Sequence, residues 1–179
     1  MVYVFLAEGF EEMEAIAPID VLRRAGADVC VVGAGDRLIE GRNGVVVACD
    51  ATTDEVIGDD IEGVILPGGV PGIDNLAAEP RVRELCERAD REGKLIAAIC
   101  AAPSLLGRWG LLDGYTAICY PGYENELKGA RISDGSVVTD GTRITAKGAG
   151  VALEFGLEIV KYFKGEKAAA KIAAGIQKP

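Results

Sequence analysis

Short apolar runs rich in β-branched residues alternate along this chain with stretches whose apolar positions recur every three or four residues. The runs predict strands at residues 2–7, 28–32, 44–47, 63–66 and 94–99, and again near 115–119, 136–139 and 143–146. The periodic stretches predict helices at 11–24, 80–91, 101–109, about 150–162 and 166 to about 174. The strand runs are nearly continuously apolar, which fits a mostly parallel sheet covered on both faces. Such alternation implies an α/β fold, a doubly wound sandwich. No repeat, low-complexity tract or linker interrupts the 179 residues, so a single domain over 1–179 is expected.

In a sheet of this kind the ligand site lies beyond the carboxyl ends of the strands. Three places there carry candidate chemistry. The run 94–99 ends in Cys100, followed by small residues and a helix start. A thiol at such a turn meets free N–H groups and the helix dipole, which lower its pKa and make it a nucleophile. The plain alternative is a small buried hydrophobe. The run 63–66 leads into Pro67-Gly68-Gly69. Glycines there let backbone N–H groups approach a ligand as an oxyanion hole, or they form an ordinary turn. Glu14 shares a helical stripe with Pro18, Val21, Leu22 and Ala25. A carboxyl facing the core loses water, gains pKa and suits proton transfer; otherwise it serves the helix dipole. Glu11 and Glu12 are expected to face solvent as first-turn acids. Gly148, within Lys147-Gly148-Ala149-Gly150, reads as a wall of the site or a helix entry.

Composition narrows that chemistry. The chain has no histidine and five cysteines. Ser-His-Asp triads, Cys-His dyads, zincin helices and His-ligated haem are thereby excluded. No pair of cysteines has C-x-x-C spacing, and the thiols are expected to be free. Cys30, Cys86 and Cys119 read as packing, and Cys49 follows a strand beside Asp50. Acidic residues number 28 against 19 basic ones, a net charge of -9 that repels nucleic acid. The lysines near the C-terminus are spread among alanines, as on a solvated helix face. The apolar run 2–7 is too short for a signal peptide or a membrane span. The expected compartment is the cytoplasm, with no nucleic acid and no membrane as partner. Gly33-Ala34-Gly35-Asp36 lacks the third glycine of a dinucleotide fingerprint.

Taken together, several motifs resemble the ThiJ/PfpI superfamily, and within it the branch of Parkinson disease protein seven and its bacterial relatives. They are Gly9-Phe10-Glu11-Glu12-Met13-Glu14-Ala15, Asp20-Val21-Leu22-Arg23-Arg24-Ala25-Gly26, Leu66-Pro67-Gly68-Gly69, Ala97-Ala98-Ile99-Cys100-Ala101 and Gly148-Ala149-Gly150. The resemblance runs in register from residue 1 to about 174. It implies a flavodoxin-like sandwich and a homodimer. It implies a nucleophile-elbow cysteine, Cys100, partnered by Glu14, with an oxyanion hole from Gly69 and Ala101 beside Gly68. Tyr120 falls at the pocket rim, Gly148 joins the substrate-binding residues, and Arg24 lies near the site and the dimer interface. The implied activity is glutathione-independent: a glyoxalase turning methylglyoxal into lactate, or a deglycase acting on early glyoxal adducts. No metal or cofactor enters it. The other implied role is oxidative-stress sensing or chaperone-like protection through an oxidisable Cys100.

Three departures from the family pattern stand out. Hydrolase-like relatives carry a histidine beside the nucleophile, where this chain has Ala101. Some members of the matching branch keep a histidine before a proline at the pocket rim, and here Tyr120 precedes Pro121. A phenol is no base at neutral pH, though it donates hydrogen bonds. Asn43 stands where relatives carry an arginine near the dimer interface, with Arg42 beside it.

Overall fold

The structure, a computed structural model, describes residues 1–178. The strands are β1 (Val2–Leu6), β2 (Val29–Gly33), β3 (Leu38–Glu40), β4 (Val46–Ala48), β5 (Ala51–Thr52), β6 (Gly63–Leu66), β7 (Leu95–Ile99), β8 (Thr116–Ala117), β9 (Arg131–Ile132), β10 (Val137–Asp140) and β11 (Arg143–Ala146). The helices are α1 (Glu12–Arg24), α2 (Gly72–Ala78), α3 (Pro80–Arg91), α4 (Pro103–Arg108), α5 (Ala152–Lys164) and α6 (Glu166–Gly175). Seven strands make one sheet in the order β10-β11-β7-β6-β1-β2-β5, parallel except for the edge strand β10. This is the mixed α/β sandwich expected from the sequence.

Every residue of β1, β6, β7 and β11 is buried, and β1, β6 and β7 accordingly read as apolar runs without alternation. Ile73, Leu76, Val82, Leu85 and Leu105 cover one face from α2, α3 and α4. Ala15, Leu22, Phe155 and Ile159 cover the other from α1 and α5. Helices α1 and α5 pack closely at Gly156, where a Cβ would stand 2.8 Å from the Pro18 Cα and 2.7 Å from a Val21 methyl. Gly156→Ala therefore forces the two helices apart. We expect a loss of about 1–3 kcal/mol and a melting temperature several degrees lower in a thermal scan.

One buried cation is structural. Arg143 on β11 is 1% exposed, donates to the Leu111 carbonyl at 2.8 Å and pairs with Asp90. Its guanidinium also lies over the Tyr115 ring, 4.6 Å from the centroid.

Four expectations are corrected. The strand expected at 44–47 is β4, paired only with β3 in a hairpin outside the main sheet. Leu38, Val46 and Ala48 are exposed there, so the pair has one covered face, not two. The strand expected at 115–119 shrinks to β8, because Ile118 donates its N–H to the Thr145 hydroxyl instead of a ladder partner. Helix α4 begins at Pro103 rather than at 101, since Cys100 turns left-handed and Pro103 takes the first helical position. Helix α2 was not foreseen: its Pro71-Gly72 start has the composition of a turn.

Candidate active site

The carboxyl ends of β1, β6 and β7 converge on one point. Helix α1 leaves β1 there, capped by the Glu11 side chain, which accepts the Glu14 N–H at 2.8 Å. That cap turns Glu14 inward. It is 0% exposed, in line with the stripe of Pro18, Val21 and Leu22 behind it.

Cys100 closes β7. Its φ is +64°, and only one other described non-glycine residue, Gln177, has a positive φ. Such a conformation costs about 1–3 kcal/mol and persists only where neighbours enforce it. Here they do: the Cys100 N–H donates to the Ala146 carbonyl at 2.9 Å, and its carbonyl accepts from the Tyr120 N–H at 2.7 Å. The result is a sharp elbow that holds the thiol out from the strand end.

Glu14 and Cys100 meet across Gly68. A Cβ at that glycine would stand 2.7 Å from both the Cys100 Cβ and the Glu14 Oε2. The Gly68 N–H donates to Glu14 Oε2 at 2.8 Å. The other carboxyl oxygen, Oε1, is buried with no hydrogen-bond partner in its own right, and the carboxyl borders the thiol. The N–H groups of Ala101 and Gly69 lie near the Cys100 sulfur and favour its charged form. Gly69 reaches that position at φ +96°, with its α-carbon so close to Gly9 that a Cβ would lie 2.6 Å from the Gly9 carbonyl oxygen. Two amides and one carboxyl thus surround one sulfur.

Burial pushes Glu14 up to about 7, against the pull of the Cys100 and Gly68 hydrogen bonds. Burial, then the charge of Glu14, pushes the Cys100 thiol up to about 12, while the Ala101 and Gly69 amides pull it down. This corrects the lowered thiol pKa expected from the helix dipole. Helix α4 starts three residues later and is only six residues long, and an acid sits beside the sulfur. Two adjoining acids out of water cannot both be anionic. With the proton on Glu14, its charge is gone and the carboxyl becomes a donor, so two of the three causes that raise the thiol vanish. Oε1, which accepts no hydrogen bond, is the oxygen free to carry that proton.

A cavity of about 370 Å³ opens over the sulfur. It is lined by Glu11, Glu14, Gly69, Cys100 and Ala101, by Tyr120, Tyr123, Val70 and Ala149, and by Arg42 and Asn43. Tyr120 is half exposed. Burial raises the other four thiols, Cys49 and Cys119 each to about 11. None of the four lines the cavity.

Several sequence expectations change here. Gly68 donates to Glu14 and is not a free oxyanion donor; it is the gap through which acid and thiol meet. Gly148 lies outside the cavity and backs Tyr120, whose ring a Cβ would meet at 3.4 Å. Arg24 pairs with Asp20 at 2.8 Å near the far end of α1 and does not line the cavity. Glu12 does not face solvent: it is 8% exposed and accepts from the N–H and the side-chain amide of Asn43, both at 2.7 Å. The signal was present, since Glu12 shares the buried stripe of Ala15, Ile19 and Leu22. Arg42, Asn43, Val70 and Tyr123 were not foreseen in the cavity wall. Their segments come to it only through the fold.

The profile of the DJ-1/PfpI family matches residues 1–162. The chain belongs to that family. It is 37% identical over 176 residues to Protein dj-1beta of Drosophila melanogaster, covering 97% of this chain and 94% of that one. It is 38% identical to the Parkinson disease protein 7 homolog of Danio rerio, covering 96% and 93%. A deglycase of Pyrococcus abyssi (strain GE5 / Orsay) is 30% identical, covering 91% and 99%. Some relatives are longer: the chain spans 40% of the DJ-1 homolog B of Arabidopsis thaliana. Among solved structures, oxidized Toxoplasma gondii DJ-1 superposes with a TM-score of 0.94 at 32% identity, covering 98% of this chain and 97% of that one. Among the described residues, no helix is long and apolar enough to cross a membrane.

Proposed function

We propose that this DJ-1/PfpI family member is a cofactor-independent cysteine enzyme acting on methylglyoxal-type 2-oxoaldehydes or their early glycation adducts. The observation that carries the reading is the meeting of Glu14 and Cys100 across Gly68, with the Gly69 and Ala101 amides beside them. The Cys100 sulfur attacks the aldehyde carbon and forms a C–S bond. The oxygen takes up the negative charge between the Gly69 and Ala101 N–H groups, then the proton of Glu14. Glu14, now anionic, removes the hydrogen on the attacked carbon and returns it to the neighbouring carbonyl carbon as electrons shift between the two. This leaves a 2-hydroxy thioester, which water cleaves to the 2-hydroxy acid and free Cys100. The sum is methylglyoxal plus water giving lactate and a proton. A carboxyl near pKa 7 serves as donor and acceptor in turn. The relative named a deglycase supports the same class of substrate.

The experiment is lactate formation from methylglyoxal with no glutathione present. Methylglyoxal and other 2-oxoaldehydes all left unconsumed overturn the reading. A second reading, a redox sensor, is favoured by the similarity to a DJ-1 structure of the oxidized form and by the partial exposure of Cys100. Mild peroxide would then add two oxygens at Cys100 alone, as a sulfinic acid, with no aldehyde consumed. The compartment proposed for the protein is the reducing cytoplasm, a reading supported by five cysteines without C-x-x-C spacing. A homodimer is proposed across the exposed side chains of Met13, Ile16 and Val45, which with Leu153 form an apolar recess beside the cavity. Arg24, through Asp20, borders that recess.

A further inference from the structure

Methylglyoxal occupies little of a 370 Å³ cavity, and the remaining wall carries one cation, Arg42. Nine of the chain's eleven arginines are tied into ion pairs. Among the described residues Arg42 and Arg91 are the two that are not, and Arg42 makes no side-chain hydrogen bond. Its backbone is nevertheless held firmly. The Arg42 N–H donates to the Phe10 carbonyl at 2.9 Å, and Gly41 donates to Val45 at 2.9 Å. Gly41 also packs so closely on Glu12 that a Cβ would stand 2.5 Å from its Oε1. Next to it, Asn43 gives Glu12 two hydrogen bonds. The buried carboxylate of Glu12 therefore positions the loop, and the loop brings an arginine without an ion-pair partner into the lining of the reactive cavity. An unpaired fork of N–H donors on a fixed support suits a planar carboxylate. Glu11 lines the same cavity, which disfavours a doubly charged phosphate more than a carboxylate.

Resting on the oxoaldehyde reading above, we infer that Arg42 selects the substrate: the preferred 2-oxoaldehyde carries a carboxylate, held by Arg42 while its aldehyde meets Cys100. Glu12 is a positioning residue for this contact. For 4,5-dioxopentanoate the balanced change is uptake of one water, giving 2-hydroxyglutarate and a proton.

Two measurements test this, one without turnover. Cys100 is alkylated by iodoacetate and, separately, by the neutral iodoacetamide, and the rates are read by peptide mass. Arg42→Gln is expected to lower the iodoacetate-to-iodoacetamide ratio about tenfold, the scale of one charge-assisted contact. Arg42→Lys restores part of it. Arg91→Gln, the same charge change on α3, leaves the ratio as it was. An unchanged ratio in Arg42→Gln overturns the inference. In the second measurement the protein prefers 4,5-dioxopentanoate to methylglyoxal in kcat/KM, and Arg42→Gln loses that preference through KM. Equal use of the two substrates by the unaltered protein overturns the substrate class. If the alkylation ratio falls but neither aldehyde is consumed, Arg42 stands as an anion-reading residue and the oxoaldehyde reading fails.

Discussion

Cys100→Ala will lose lactate formation from methylglyoxal almost entirely, with kcat down by about 10³-fold or more, as when a nucleophile that works with its partners as a unit is removed. The loss is this large because the sulfur forms the bond that every later step needs. Gly69 and Ala101 then point their N–H groups at an empty position, and Glu14 has no bound carbon to serve. The fold should survive. Alanine also suits the apolar end of β7, and the left-handed backbone at residue 100 is imposed by Ala146 and Tyr120 through main-chain bonds. Circular dichroism and melting should therefore match the unaltered protein within a few degrees. Turnover that persists in Cys100→Ala would remove the thiol from the chemistry and leave Glu14 without a role.

Glu14→Gln will separate thiol reactivity from catalysis. A glutamine keeps an oxygen to accept the Gly68 N–H and offers an amide N–H toward the sulfur. It carries no charge and takes no proton. Alkylation of Cys100 by iodoacetamide near neutral pH should be as fast or faster, because the charge that helps raise the thiol is gone. Lactate formation should fall by about 10²–10⁴-fold, the usual yield of positioned acid–base catalysis. If alkylation and turnover fall together, Glu14 acts only by holding the thiol in place. The same substitution alters stability against pH. The Glu14 pKa is raised from 4.5 to about 7 on folding, so the folded protein keeps a proton that the unfolded chain gives up over that range. Stability conferred by the neutral carboxyl is complete below pH 4.5 and declines as pH rises to about 7. The loss amounts to about 3 kcal/mol for a fully buried group at 1.36 kcal/mol per pKa unit. Denaturant titrations across that range should show the slope in the unaltered protein and its absence in Glu14→Gln.

How much of this was legible beforehand differs from residue to residue. The strands β1, β6 and β7 announced themselves because a buried parallel strand leaves a continuous apolar run, whereas β11 buries Arg143 and Thr145 among its four residues. Cys100 and Glu14 were legible for related reasons. One ends such a run, and the other is a charge on a stripe of core residues. The hairpin of β3 and β4 was misplaced because three exposed apolar residues look the same in sequence as three buried ones. Helix α2 hid behind a Pro-Gly start. Glu12 was misread although its stripe was as clear as that of Glu14, because first-turn position and core-facing position make opposite predictions for an acid.

The sequence by itself determined the layered α/β architecture, the absence of imidazole chemistry and the candidate pair of thiol and carboxyl. Each rests on local periodicity or residue type, which the chain carries without folding. Only the tertiary structure decided that Gly68 separates Glu14 from Cys100, that the Gly68 amide is committed to the carboxyl and that the thiol is raised rather than lowered. It also decided that Arg42, held by Glu12, faces the same cavity. These depend on the distances between segments of α1, β6, β7 and the loop near residue 42, which the fold brings together from far apart in the chain. The strength of a charge or a hydrogen bond is set by what lies within a few ångströms and by how much water is excluded. No spacing along the sequence encodes either.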